Sequence, residues 1–261
     1  MKYCINTFIF NDYEPVREVE EIDENCDYYL FTDNPNTKSN TWKVIYIPEL
    51  DNDEYIGIQK TLKFKYTFYK YIPNVDQYEY LIQLDASLLI KNSLAPILNY
   101  MKKYKYDIIV GIHPDRDCFI DEYHAWINER GLDPVYYDIF LKAIGDYDLN
   151  TKGLIMTTAK FYRNCKETLN FIDDVNAILE TSCESKDKND QCYFTYILSK
   201  HLDKMRISYC DIELIVYSEY MVWFMHGSLD TYYMANASPN TGKYIPFLGK
   251  YIRLTPKEEY K

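Results

Sequence analysis

The sequence predicts an α/β fold with a mixed, mostly parallel sheet flanked by helices, and three observations support this. The apolar run at residues 80–84 is continuous instead of alternating, which is typical of a strand covered on both faces. Strand-like and helix-like segments alternate along the chain, which favours a layered arrangement. The 261 residues, 47% of them hydrophobic, are enough for a packed core, so we expect a single domain over residues 1–261.

Strand-like and helix-like segments alternate in the first half of the chain. Four strands are predicted, at residues 3–10, 28–31, 42–47 and 80–84. Three helices are predicted, at residues 14–24 after Pro15, at residues 56–72 before Pro73, and at residues 94–104. Lys60, Lys63 and Lys70 lie on one face of the second helix. They are candidates to reach a diphosphate, although the charge pattern alone favours a solvated helix face.

The second half has weaker signals. Strands are predicted at residues 107–112, 154–157 and 212–217, and helices at residues 158–180 and 189–202. The acidic and aromatic segment at residues 115–153 is expected to be helical in part. Residues beyond 217 are expected to be mostly loop, because proline and glycine recur there.

Asp85 interrupts the apolar stretch at residues 78–91 and is the first candidate site residue. Burial of an ionised carboxylate without a partner costs on the order of several kcal/mol. Asp85 should therefore lie where the strand leaves the core. In open α/β sheets ligands bind at that edge; an aspartate that caps a turn is the alternative. Ser87, two positions along, would lie on the same side of a strand. Together they would suit Mg²⁺ or Mn²⁺ held by phosphate oxygens.

Four further residues carry side chains that could take part in chemistry. His226 precedes Gly227 and is either a metal ligand or a structural histidine. Asp190 and Gln191 begin a predicted helix, where capping explains the acid as well as catalysis does. Glu122, beside Asp121 in the weakly patterned segment, is either a general base or a surface residue.

Composition excludes several classes of function. A formal charge of −11, from 40 acidic and 29 basic residues, argues against nonspecific binding to nucleic acid or to an anionic membrane. The 7 cysteines form no CxxC pair, which argues against a zinc site and a disulfide framework. The apolar stretch at the N-terminus is too short for a signal peptide, and no run suits a membrane span, so we expect a cytoplasmic protein. Walker A, GxGxxG, GxSxG and HExxH motifs are missing from the sequence.

The order of six segments resembles that of a known enzyme class. The segments are CDYYLFTDN (26–34), KTLKFK (60–65), LIQLDASLLI (81–90), HPDRDCFIDE (113–122), KGLI (152–155) and NDQCYFTYIL (189–198). Together they resemble the GT-A class of nucleotide-sugar glycosyltransferases. More closely, they are similar to a group long catalogued as a domain of unknown function and distantly related to glycogenin-like enzymes.

This resemblance implies roles at a metal and diphosphate site. Asp85 matches the first acid of the DxD motif that holds the metal in that class, and Ser87 stands where the second acid is found, so the motif here is DxD-like. His226 resembles the C-terminal histidine that completes metal coordination, and Lys63 the lysine that faces the diphosphate. The implied cofactor is a divalent cation, Mn²⁺ or Mg²⁺.

The resemblance also implies roles around the nucleoside and the sugar. Thr7 and Asp33 match positions that cradle the nucleoside, and Asp190 with Gln191 resembles a DQ pair near the transferred sugar. If the reaction inverts the anomeric centre, a carboxylate must take the acceptor's proton, and Asp190 or Glu122 is the candidate. Retention would need no such base.

The expected function is therefore metal-assisted transfer of a sugar from a nucleoside-diphosphate-sugar donor to a hydroxyl of a glycan or polysaccharide. Residues 1–112 would bind the nucleotide-sugar, and residues 113–261 would bind the acceptor and complete the metal site. The alternatives are a non-catalytic module that binds nucleotide-sugars or carbohydrate, a sugar nucleotidyltransferase, and a glycoside hydrolase, which needs two facing carboxylates. No nucleic acid partner is expected.

Overall fold

The computed structural model describes residues 1–51, 57–130, 135–182, 190–216, 218–224, 244–247 and 250–253. The described strands are β1 (Tyr3–Ile9), β2 (Cys26–Thr32), β3 (Lys43–Tyr46), β4 (Tyr80–Leu84), β5 (Leu88–Ile90), β6 (Ile108–Ile112), β7 (Ile155–Arg163), β8 (Ile207–Asp211), β9 (Met221–Trp223), β10 (Tyr244–Phe247) and β11 (Lys250–Arg253). The described α-helices are α1 (Gly57–Lys65), α2 (Ala95–Tyr104), α3 (Phe119–Arg130), α4 (Val135–Ile144), α5 (Lys166–Ser182), α6 (Asp190–Ser199) and α7 (Glu213–Val216).

The main sheet has seven strands in the order β3-β2-β1-β4-β7-β6-β8. Strand β7 is antiparallel to both of its neighbours, β4 and β6. The other neighbouring strands pair in parallel. The predicted fold class, a mixed and mostly parallel α/β sheet flanked by helices, is confirmed, and it is the layout expected of a GT-A fold.

The sheet is covered on both faces, and its central strands are buried accordingly. All residues of β1 and β4 are buried, as expected for parallel strands with a layer on each side. One apolar layer contains side chains of α2, β5 and β9, and the other contains side chains of α1, α5 and α6. Within the described residues, no helix is both long and apolar enough to cross a membrane.

Polar residues follow three neighbouring parallel strands of this sheet. Asn11 comes shortly after β1, Asp33 directly after β2, and Asp85 directly after β4. Because β2, β1 and β4 are adjacent and parallel, these residues lie at the same edge of the sheet. This is the edge at which open α/β sheets bind ligands.

The largest correction to the predicted elements concerns residues 154–180. A short strand followed by a helix from residue 158 was predicted, but β7 continues to Arg163 and α5 begins at Lys166. Phe161 fits the helical stripe of α5 by spacing alone. In the structure it pairs with Ile82 and Ile109 on the two neighbouring strands, so sheet pairing on both sides overrides the helical spacing.

Two other predicted elements are also wrong. The strand predicted at residues 212–217 is instead helix α7, and the strand lies earlier, as β8, a half-exposed edge strand without an apolar run. The helix predicted at residues 14–24 is irregular chain, in which buried Glu14 and Arg17 form an ion pair. In the region beyond residue 217, predicted to be mostly loop, the described residues include β9, β10 and β11, of which β10 and β11 pair in antiparallel.

Candidate functional site

The stretch Asp85, Ala86 and Ser87 forms a turn between β4 and β5. The amide of Leu88 donates to the carbonyl of Asp85 at 3.0 Å, which closes the turn. The Asp85 side chain is 22% exposed, whereas Ser87 is fully buried and its Oγ has no hydrogen-bond partner. Strand alternation does not apply to these two side chains, because both residues lie in the turn and not in a strand.

Lys65, the last residue of α1, joins three separate parts of the chain. Its Nζ lies 3.4 Å from Asp85 Oδ1 and 3.0 Å from Asp190 Oδ2. It also donates to Thr157 Oγ1 of β7 at 3.1 Å. Burial alone would lower the pKa of this amine, but Asp190 and Asp85 outweigh burial, so the pKa of Lys65 lies above its usual value. The site therefore contains a permanent buried cation between two carboxylates.

Asp190 is the first residue of α6, and one of its carboxylate oxygens, Oδ2, has three partners. Besides Lys65, the Tyr66 hydroxyl donates to Oδ2 at 2.6 Å and Thr157 Oγ1 donates to it at 2.9 Å. Burial raises the pKa of Asp190, but Lys65, Lys160 and Tyr66 outweigh it, so the pKa lies below its ordinary value. A general base works best with a pKa near the operating pH. The arrangement therefore favours an ionised Asp190 that orients other groups over one that takes a proton.

Lys160 of β7 is a second buried lysine, and the sequence analysis did not identify it. Its Nζ donates to the Thr157 carbonyl at 2.8 Å and lies 5.2 Å from the centre of the Tyr66 ring. Burial, and then the neighbouring charge of Lys65, lower the pKa of Lys160 well below its usual value. A single lysine inside the apolar run at residues 154–162 was the available signal, because lysine is almost never buried without a partner.

We expect the replacement Lys160→Met to change how stability depends on pH. The unfolded chain binds this proton up to about pH 10.4, whereas the folded chain releases it at a lower pH. Between those values the wild-type protein gains stability as pH rises, and the variant lacks this gain. The variant should therefore become more stable relative to wild type as pH falls, by at most about 1.4 kcal/mol per pH unit. Urea unfolding at several pH values measures this, and a difference that does not vary with pH would contradict it.

A second group of polar residues lies at the ends of β1 and β2. Lys60 of α1 and Asp33 form a buried ion pair at 2.6 Å, and Asp33 Oδ1 accepts the amide of Asn11 at 2.9 Å. Asn11 and Asp12 have φ angles of 56° and 49°, so two consecutive residues are left-handed. Asn34 donates to the carboxylate of Asp12 at 3.0 Å. Asp33 thus holds a tight loop at this edge of the sheet. The resemblance described above predicts that Asp33 contacts a nucleoside here.

The other predicted site residues are placed differently. Thr7 is buried within β1 with a hydroxyl that has no partner. Lys63 is exposed on α1. Gln191 is half-buried, and its Oε1 has no hydrogen-bond partner. His226 lies outside the described residues.

Glu122 belongs to a separate set of contacts on α3. It is fully buried and forms an ion pair with Arg116. Its Oε1 accepts the indole N–H of Trp126 at 2.6 Å. Both oxygens are therefore engaged, which makes Glu122 a weaker candidate for a base than its sequence position suggested.

The donor set at the turn fits a hard divalent cation only in part. Asp85 supplies a carboxylate at the edge of the sheet, and such cations bind through one or two carboxylates together with substrate phosphates. The hydroxyl of Ser87, which has no partner, is a further oxygen two residues along the same turn. Across the described residues, no group of three or more His, Cys, Asp or Glu side chains could hold a metal ion by itself.

Comparisons with known proteins add little to this geometry. No protein-family model matches the chain, and no curated protein matches it. Among solved structures, the chain is similar to the apo crystal structure of mouse xyloside xylosyltransferase 1, with a TM-score of 0.45 and 10% sequence identity, over 82% of this chain and 86% of that chain. A TM-score at this level does not establish a common fold, so the fold class follows from the chain's own strand order and pairing.

Proposed function

We propose that this chain is a glycosyltransferase that transfers a sugar from a nucleoside-diphosphate-sugar donor to an acceptor hydroxyl. The observation that carries the proposal is the convergence of Asp85 and Asp190, far apart in sequence, on the ammonium of Lys65 at the edge of the sheet. A diphosphate is an anion, and a site that holds it needs fixed positive charge near a cation-binding carboxylate. Lys65 and Asp85 supply these two features side by side.

In this proposal Asp85 holds the divalent cation together with the donor phosphates. A bound cation would neutralise charge on the leaving diphosphate, which is its Lewis-acid role. Lys65 pairs with the Asp85 carboxylate and fixes its direction. Ser87 and His226 are the proposed additional ligands, and Lys63 remains a candidate contact to the diphosphate.

The position of Phe224 supports the proposed role of His226. The amide of Phe224 donates to the carbonyl of Ser87 at 2.9 Å, and β9 pairs with β5 so that Trp223 is opposite Leu88. The described chain before residue 225 therefore ends beside the turn that carries Asp85. His226 follows Phe224 by two residues in the sequence.

Asp190 and Gln191 are proposed to orient the transferred sugar. The Oδ2 of Asp190 is occupied by Lys65, Tyr66 and Thr157. Its low pKa keeps it an acceptor of hydrogen bonds from sugar hydroxyls at neutral pH. The Oε1 of Gln191, which has no partner, is a second acceptor at the start of α6. This assignment fits a retaining reaction better than one that needs Asp190 as a base.

A second candidate function is a module that binds nucleotide-sugars without turnover. The specific observation in its favour is the contact between Lys65 and Asp85, because an internal cation already balances the carboxylate that a metal would need. Such a module would bind a nucleoside diphosphate equally well with or without a divalent cation.

A panel of nucleotide-sugars, assayed for release of the free nucleoside diphosphate, tests the proposal. We expect release from at least one donor in the presence of Mn²⁺ or Mg²⁺, and its loss when the cation is chelated. Release from no donor, together with binding that does not depend on a cation, would favour the module.

A further inference from the structure

Residues 14–20 form an irregular segment, here named the strap, that runs along the turn after β4 and along β5. The amide of Glu20 donates to the carbonyl of Ile90, at the end of β5, at 3.0 Å. Arg17 Nη1 donates to the carbonyl of Ala86, in the turn, at 2.8 Å. The strap is therefore attached to both ends of the segment that follows Asp85.

Arg17 is the side chain through which the strap contacts the turn. Its side chain is 4% exposed, and Nη1 lies 3.0 Å from Oε2 of Glu14, whose side chain is fully buried. The Arg17 carbonyl accepts the indole N–H of Trp42 at 2.8 Å, which fixes its backbone. The guanidinium carbon lies 4.9 Å from the centre of the Phe224 ring. Arg17 thus contacts the strap, the turn and the residue before position 225.

The turn is held from two directions. Arg17 donates to the carbonyl of Ala86, and the amide of Phe224 donates to the carbonyl of Ser87. Phe224 also contacts Arg17, so the two attachments are linked. Burial of a guanidinium is costly unless a carboxylate pairs with it, and Glu14 is that partner.

The chemistry of arginine suits this position, and that of lysine does not. A planar guanidinium can donate to a carboxylate and a carbonyl at once while its face lies against an aromatic ring. A lysine ammonium could donate to the same two oxygens, but it has no planar face to lie against the Phe224 ring. Replacement by lysine therefore keeps the charge and removes the stacking on Phe224 that links the two attachments.

We propose that Arg17 is a positioning residue that holds the turn carrying Asp85 against Phe224, and so fixes the direction of the Asp85 carboxylate. The contacts themselves are independent of any activity. The consequence for cation binding rests on the proposed function, because it requires that Asp85 holds the cation.

The test compares Arg17→Lys and Phe224→Leu with wild type, using Arg163→Lys as the matched control. Arg163 also pairs with an aspartate, Asp107 at 2.6 Å, but it is opposite Tyr80, at the other end of β4 from Asp85. The measurement is a Mn²⁺ titration of nucleoside-diphosphate binding. We expect the apparent Mn²⁺ affinity to fall about 10-fold or more in both variants, as for loss of residues that orient metal ligands, and to stay unchanged in the control.

Hydrogen exchange without any ligand provides the second readout. In both variants the amides of Leu88 and Phe224 should exchange faster than in wild type, and those of β4 should not change. Unchanged exchange and unchanged Mn²⁺ affinity in folded Arg17→Lys would overturn the inference; if that variant does not fold, Phe224→Leu decides by the same criteria. Faster exchange in a protein whose wild type binds no nucleoside diphosphate would overturn the proposed function and leave the positioning contact standing.

Discussion

Replacement of Lys65 by methionine should destabilise the protein by about 3–5 kcal/mol, the usual cost of removing one partner of a buried ion pair. The substitution leaves Asp85 and Asp190 without their common cation, and Asp190 is almost completely buried. The variant should also lose sugar transfer, because neither carboxylate would keep its position. Denaturant unfolding of wild type and variant measures the first effect, and donor turnover measures the second.

The pH dependence of this loss gives a second check on its cause. The pKa of Asp190 is low in wild type, so its contribution to stability is present above the unfolded pKa of about 3.9 and is lost as pH falls below it. Without Lys65 that carboxylate should hold its proton more tightly. The cost of Lys65→Met should therefore shrink as pH falls from neutrality towards about 4.

Lys70→Met is the matched control for stability. Lys70 pairs with Asp173 at 3.1 Å, but both side chains are about half exposed, so we expect a change of at most about 1 kcal/mol. Equal stability losses in Lys65→Met and Lys70→Met would contradict the account of a buried, bridging cation.

Replacement of Asp85 by asparagine should lower kcat for sugar transfer by about 100- to 1000-fold, the usual effect of removing one electrostatic contact to a transition state. Asparagine preserves the shape and removes the charge that would hold the cation. Because the Asp85 side chain is partly exposed and Lys65 keeps Asp190, the variant should remain folded. Steady-state kinetics at saturating Mn²⁺ measures the change.

Asp173→Asn is the control for this substitution, because Asp173 also pairs with a lysine but lies on the surface. It should retain wild-type turnover. Wild-type turnover by Asp85→Asn would remove Asp85 from the mechanism, and the proposed cation site with it.

Elements with strong local signals could be predicted from the sequence. The continuous apolar run of β4 identified a strand buried on both faces, and β1 was also predicted as a strand. Asp85 was correctly placed at a strand end because a charge ends burial. The position of Asp190 at the start of a helix was also correct. These predictions depended on residues within a few positions of each other.

Features that depend on contacts between distant residues could not be predicted in this way. Lys65 lies in a helix of lysines that look alike in sequence, and only the packing of α1 shows that Lys65 is buried while Lys63 is exposed. Lys160 lies in the part of β7 that was predicted as helix, because the helical spacing of Phe161 concealed the length of the strand. The contact between Arg17 and the turn after β4 joins residues 69 positions apart.

Calorimetric titration of the wild-type protein with nucleoside diphosphates, with Mn²⁺ and with a chelator, tests the central claim most directly. If Asp85 and a divalent cation hold a diphosphate at the edge of the sheet, at least one nucleoside diphosphate should bind, and chelation should weaken that binding about 10-fold or more. Binding of equal strength with and without the cation, or binding that survives Asp85→Asn unchanged, would contradict it.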